Sequence, residues 1–219
     1  MEFGLAFSYQ FKDPDWIKKI ALAGLFSLIP VVGVFFLMGW SVEVTRRVIL
    51  KDPNPLPELN FGAYLGKGFQ LWVIGLVYAL PIFILTIPIM LVPPLGVAVE
   101  LDENTLGIVM AAISICCGGL IFLYSLLLAL MLPAAYGNFA AKGSIGAGLR
   151  FGEVFGLVKA APVAYLLCLV GSLVAGFIAP LGSIACGLGV VVTGAYSLSM
   201  LFHLYGQAYN QALAKSYQG

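Results

Sequence analysis

Four stretches of the chain contain no aspartate, glutamate, lysine or arginine, and their lengths limit what the protein can fold into. They cover residues 20–42, 68–99, 104–141 and 160–214 of 219. A helix needs about 20 apolar residues to cross the roughly 30 Å of hydrocarbon in a bilayer. Because every stretch reaches that length, the sequence predicts a polytopic integral membrane protein.

The composition excludes a water-soluble globule. Apolar residues make up 61% of the chain and charged residues 10%, against about 45–50% and about 25% in soluble domains. The 26 glycines make the chain glycine-rich, and its net charge is +1. A balanced charge gives no electrostatic basis for nucleic-acid binding. The apolar stretches do not alternate with polar residues as membrane strands do, so we expect an all-α bundle.

Prolines indicate where the middle helices end. The stretch 68–99 predicts one helix from about residue 69 to residue 92, before Pro93 and Pro94. The stretch 104–141 predicts one helix from about residue 106 to residue 132, before Pro133. These ends follow from the missing N–H of proline, which interrupts the helical hydrogen bonds.

The final stretch, 160–214, is long enough for two helices, and Pro180 and Gly182 predict the turn between them. The first stretch, 20–42, has two interpretations. It is either one proline-kinked span or two short arms that turn at Pro30 and Gly33.

The positions of the basic residues favour two arms. Lysine and arginine flank the first stretch on both sides, whereas the loop around Asp102 has neither. Since cytoplasmic loops carry the excess of basic residues, both flanks are predicted inside, as are both termini. About six helices then form three hairpins, 16–50, 69–132 and 161–206, of which the first is short or re-entrant. We expect residues 1–219 to be a single membrane domain with a weak parallel repeat between 16–50 and 172–206.

Small residues recur every four positions in the segment near 140–160, at Ser144, Gly148, Gly152 and Gly156. The segment predicts an amphipathic helix on the inner leaflet. The same stripe also fits close packing of one helix against another. The two interpretations are compatible.

The strongest polar pattern lies near the end of the chain, in Tyr196, Ser199, His203, Gln207 and Asn210. Spacings of three and four residues place these side chains on one face of a helix. One interpretation is a polar seam that hydrogen-bonds to neighbouring helices. The other is a contact for a small molecule or pigment, with His203 as an axial ligand.

Motifs for catalysis and cofactor binding are missing. The sequence has no HExxH, no GxSxG and no P-loop, and one histidine cannot build a multi-histidine metal site. The four cysteines, which include Cys186, form no CxxC pair and are interpreted as small apolar packing residues. We therefore predict no enzymatic activity, no metal and no cofactor. The absence of carboxylates from the four charge-free stretches also weakens ion-coupled transport.

Several segments together resemble a known family. They are FKDPDWIKK, LIPVVG, TRRV, FGAYLGKGFQLWVIGLVYALP, FGEVFGLV, CGLGVVVT and HLYGQAY. The chain resembles a prokaryotic membrane family labelled domain of unknown function 4013, over nearly its whole length. The resemblance implies a multi-span fold in a prokaryotic plasma membrane, and it carries over no functional residues.

The predicted function is a non-enzymatic membrane protein that acts as a scaffold, an accessory subunit or a lipid-organising protein. Its expected partners are the lipid bilayer and other membrane subunits or further copies of the chain. The alternative is a transporter or channel for a neutral or lipid-like molecule, for which prolines inside the span are typical.

Overall fold

A computed structural model describes residues 1–184 and 189–216, and these residues contain helices and no strand. The α-helices are α1 (Phe3–Ser8), α2 (Trp16–Ser27), α3 (Val32–Ile49), α4 (Phe61–Ala98), α5 (Glu103–Lys142), α6 (Ile145–Gly148), α7 (Phe151–Ala160), α8 (Pro162–Leu181) and α9 (Gly189–Ser216). Three segments are long and apolar enough to cross a membrane, namely α4, α5 and Pro162–Ile184. The prediction of an all-α fold is confirmed for the described residues.

The predicted helix ends at prolines are wrong. Pro93 and Pro94 lie inside α4, and Pro133 lies inside α5, which continues to Lys142. A proline removes one helical hydrogen bond, whereas ending the helix there would free several N–H and C=O groups in an apolar segment. Continuing the helix through the proline therefore costs less free energy than ending it there.

The stretch 20–42 is divided between α2 and α3 and is not one continuous helix. Pro30 lies in the break, and Val31 adopts a positive φ of 63°. A Cβ on Gly33 would collide with the backbone carbonyl of Phe26. Gly33 therefore permits the two helix ends to approach closely, while the left-handed backbone angle of the turn falls on Val31.

The second predicted turn begins slightly later than expected. Pro180 lies in the last turn of α8, and a 3-10 turn follows at Gly182–Ile184. A Cβ on Gly182 would collide with the backbone of Gly189, so the glycine is needed for close approach. Residues 185–188 of this connection lie outside the described residues.

One compact unit comprises Met1–Ile74 and Leu130–Gly219. Within it α9 contacts α1, α2, α3, α7 and α8 and is the central helix. A core of buried side chains joins α2, α3 and α9 with the first turns of the chain, the loop before α4 and the first turn of α4. Its members are Tyr9, Ile20, Ala23, Phe36, Trp40, Val44, Leu56, Tyr64 and Ala195. The helix that carries the predicted polar stripe therefore lies at the centre of this unit.

Two glycines bring α3 and α4 together in the same unit. A Cβ on Gly39 would collide with the backbone carbonyl of Tyr64, and one on Gly68 with the carbonyl of Phe35. The two backbones touch at this crossing, which only residues without a side chain allow.

The second compact unit is Gly75–Ala129, made of the remaining parts of α4 and α5. The hydroxyl of Tyr124 donates a hydrogen bond to the Tyr78 carbonyl at 2.9 Å. Large apolar side chains are exposed along both helices, among them Phe83, Ile84, Met90, Ile115 and Phe122. Such a surface fits hydrocarbon and not water.

Candidate functional site

All five residues of the predicted polar stripe lie on α9. Ser199 and His203 are buried, at 0% and 2% exposure, and Tyr196, Gln207 and Asn210 are half-buried. The middle of the stripe is therefore enclosed by protein, and its ends are partly exposed.

The first turns of the chain cover the N-terminal half of the stripe. The Tyr9 hydroxyl donates to the Ser199 carbonyl at 3.2 Å, and the Gln10 amide donates to the Ser199 hydroxyl at 3.2 Å. The Tyr196 hydroxyl donates to the Phe7 carbonyl at 2.7 Å. These contacts span about 190 residues of sequence, so spacing along α9 alone gives no signal for them.

Gln207 fixes the orientation of His203. Its amide pairs with the backbone of Glu2, with Oε1 2.7 Å from the Glu2 nitrogen and Nε2 3.0 Å from the Glu2 carbonyl. The second hydrogen on Gln207 Nε2 points to His203 Nδ1 at 3.1 Å. Because Nδ1 then accepts, a neutral His203 carries its proton on Nε2. The imidazole also stacks on Tyr9, with ring centroids 4.3 Å apart.

The C-terminal end of the stripe is hydrogen-bonded to α3. The Asn210 amide donates to the Val48 carbonyl at 3.0 Å. One turn earlier on α3, the Thr45 hydroxyl donates to the Phe202 carbonyl at 2.7 Å. Both hydrogen bonds run between α9 and the neighbouring helix α3.

A cavity of about 390 Å³ lies beside the stripe and is lined by His203, Gln207 and Asn210. Lys12 and Lys51 also line it, together with the carboxylates of Glu2 and Asp52. The lining thus combines basic and acidic residues with the buried imidazole of His203.

A buried ion pair ties the start of the chain to the loop before α4. The Asp13 carboxylate, 1% exposed, accepts hydrogen bonds from Lys19 at 2.6 Å, Asn54 at 2.8 Å and the Asp15 amide at 2.8 Å. Lys19 also contacts Glu58 at 2.6 Å. Burial alone would raise the pKa of Asp13, but these hydrogen bonds outweigh it and hold that pKa below its ordinary value of 3.8.

Glu43 on α3 gathers a second charged cluster. It lies 3.3 Å from Arg46 and 3.9 Å from Arg47, at the i,i+3 and i,i+4 spacings at which charged side chains on one helix pair. A third partner, Lys67 on α4, lies 2.6 Å from Glu43, and helical spacing carries no signal for it. This contact depends on the crossing of α3 and α4.

The predicted small-residue stripe is divided between helices. Ser144 precedes α6, Gly148 ends it, and Gly152 and Gly156 lie on α7. The single helix expected near 140–160 is wrong, because residues 149 and 150 leave helical geometry. A Cβ on Gly148 would meet the Ile74 side chain at 2.5 Å, whereas Gly152 and Gly156 face open space.

Metal-binding and thiol groups are sparse in residues 1–184 and 189–216. No group of three His, Cys, Asp or Glu side chains that could hold a metal is found there. Cys116, Cys117 and Cys168 are free thiols, and Cys186 lies outside the described residues. The prediction that the protein uses no metal or cofactor stays a prediction.

Comparison with known proteins identifies the family. The family described as "Protein of unknown function (DUF4013)" matches residues 22–188. This match covers more than half of the chain, so the chain belongs to this family. No curated protein and no solved structure matches the chain.

Proposed function

We propose that this member of the DUF4013 family is a non-enzymatic integral membrane protein that acts as a scaffold, an accessory subunit or a lipid-organising protein. The observation that carries the proposal is the hydrogen bonding of the α9 polar stripe by the chain's own first turns. Polar groups that are satisfied within the chain are not free to bind a substrate. The stripe therefore supports a role in holding the helices together.

The outward-facing apolar surface supports the expected partners. The most apolar windows of α4 and α5 are 11% and 0% buried within the chain. Lipid, other membrane subunits or a further copy of the chain would cover such surfaces.

The proposal includes six helices in three hairpins, 16–50, 69–132 and 161–206, with both termini in the cytoplasm of a prokaryotic cell. The break between α2 and α3 supports a first hairpin that enters and returns. With 12 residues, α2 is shorter than the about 20 needed to cross, which supports a re-entrant arm. The single membrane domain and the repeat between 16–50 and 172–206 stay predictions, and the second copy includes residues outside the described part.

The alternative, a transporter or channel for a neutral or lipid-like molecule, is favoured by one observation. Four prolines, Pro81, Pro88, Pro93 and Pro94, lie inside α4. Each proline leaves a backbone carbonyl without its helical partner, and such carbonyls can line a pathway.

Extraction into polymer nanodiscs without detergent tests the two functions against each other. We expect a protein partner, a second copy or a defined lipid to co-purify at fixed stoichiometry. The matched preparation is an unrelated membrane protein with the same tag from the same cells. A lone chain that moves a neutral solute across proteoliposomes would instead support the transporter and overturn the scaffold.

A further inference from the structure

We propose that a cavity between α3, α4 and α5 binds the phosphate of an anionic lipid headgroup. The cavity measures about 320 Å³ and is lined by Glu43 and Arg46 of α3, Lys67 and Gln70 of α4, and Lys142 at the end of α5. All of these residues belong to the compact unit Met1–Ile74 and Leu130–Gly219. The proposal rests on the membrane location in the proposed function but does not require the scaffold or subunit role.

The charged residues of the cavity lie where the apolar stretches end. Glu43 is the first charged residue after the stretch 20–42, and Arg46 lies one turn further along α3. Lys67 directly precedes the stretch 68–99, and Lys142 directly follows 104–141. If these stretches lie in hydrocarbon, the cavity opens at the level of the lipid phosphates.

Positive charge is in excess around the cavity. Glu43 is shared by Lys67, Arg46 and Arg47, and Glu153 of α7 is shared by Lys142 and Arg150. Five cations thus share two carboxylates. The side chains of Arg46, Lys67 and Lys142 remain 51%, 36% and 37% exposed, so each can still reach an anion.

The cavity also holds an uncommitted hydrogen-bond donor. Gln70 is half-buried. Its side-chain amide makes no hydrogen bond to any group within residues 1–184 and 189–216. A phosphate oxygen would accept from this amide as well as from the cations.

The neighbouring residues favour a lipid over a soluble anion. Phe69 and Trp72, on the same turns of α4, are 50% and 41% exposed. Exposed aromatic residues beside lysine are typical of the membrane–water interface. Basic pockets between membrane helices on the cytoplasmic side bind anionic headgroups.

The test uses the full chain in a neutral detergent and follows lipid binding by native mass spectrometry. The probes are phosphatidylglycerol, phosphatidylcholine and inorganic phosphate. We expect phosphatidylglycerol to bind in preference to phosphatidylcholine, with inorganic phosphate a poor competitor. Equal binding of the two lipids, or full competition by inorganic phosphate, would overturn the proposal.

A variant locates the binding in the cavity. Arg46→Gln combined with Lys142→Gln should weaken phosphatidylglycerol binding about 30-fold, since each surface cation contributes about fivefold and the two factors multiply. The matched control, Lys18→Gln combined with Lys215→Gln, removes two exposed lysines that do not line the cavity and should bind as the wild type does. Unchanged affinity in the cavity variant would overturn the assignment. Should that variant fail to fold, the single substitutions Arg46→Gln and Lys142→Gln decide the location, since each alone should weaken phosphatidylglycerol binding about fivefold.

Discussion

At the scale of single residues, His203 serves as a packing and hydrogen-bonding group between Tyr9 and Gln207. His203→Gln keeps an acceptor for Gln207 but loses the stacked ring. A membrane hydrogen bond averages about 0.6 kcal/mol and an aromatic pair about 0.5–1.5 kcal/mol. We expect the variant to lower the free energy of unfolding by about 1 kcal/mol, measured by denaturation in mixed micelles.

The same residue offers a check on the cofactor prediction. If His203 were a ligand, the wild type would purify with a metal or pigment that His203→Gln lacks. We predict that His203 is not a ligand, so metal analysis and the absorption spectrum should give the same result for the wild type and for His203→Gln. A bound group present only in the wild type would contradict the seam.

Asp13 should make stability depend on pH. Its pKa is held below the ordinary value in the folded protein, so its contribution is present at neutral pH. That contribution is lost as the pH falls from about 4 through the lower folded-state pKa. Asp13→Asn should lower the free energy of unfolding at pH 7 by about 2 kcal/mol and flatten the acid side of the pH profile. Thermal unfolding between pH 3 and pH 7, with the exposed Asp15→Asn as control, measures both effects.

At the scale of helices, the crossing of α3 and α4 depends on glycine. Gly68→Ala would push a methyl group into the Phe35 carbonyl and should cost about 1–3 kcal/mol of stability. Gly66 lies two residues away on the same helix and faces open space, so Gly66→Ala should be neutral or stabilising. Equal effects of the two substitutions on the unfolding free energy would show that the helices do not meet at Gly68.

The divided small-residue stripe gives a second pair of substitutions. Gly148→Leu would collide with Ile74 and should destabilise the isolated chain, whereas Gly152→Leu enters open space and should not. Detergent stability of the monomer measures this difference. If Gly152→Leu changes only the oligomeric state, α7 contacts another molecule, as the predicted packing stripe requires.

The helices were more predictable than their ends or their contacts. Charge-free stretches predicted α4, α5 and α8, because length and hydropathy alone decide whether a segment can cross a bilayer. The helix ends predicted at Pro93 and Pro133 are wrong, because a proline removes only one hydrogen bond from a long apolar helix and the helix continues past it. The polar stripe followed from helical spacing, but its partners near residues 2–10 did not. Those partners depend on tertiary contacts for which a single sequence carries no periodic signal.

At the scale of the whole molecule, the distribution of basic residues predicts the orientation. Both flanks of the stretch 20–42 carry lysine and arginine, and the break between α2 and α3 allows the chain to return to the side from which it entered. A single kinked span would instead put Lys18 and Lys51 on opposite sides of the membrane. Orientation is thus the property that separates the two interpretations of the first stretch.

Labelling of single cysteines from each side of the membrane tests this orientation. In a background without the four native cysteines, Lys18→Cys and Lys51→Cys should react only with reagent on the cytoplasmic side, because both flanks are basic. Asp102→Cys should react only from outside, since its loop lacks lysine and arginine. All three positions are exposed, so a lack of labelling cannot be attributed to burial. External reaction at both 51 and 102 would contradict the three-hairpin topology, and external reaction at 51 with internal reaction at 18 would make the first stretch a single span.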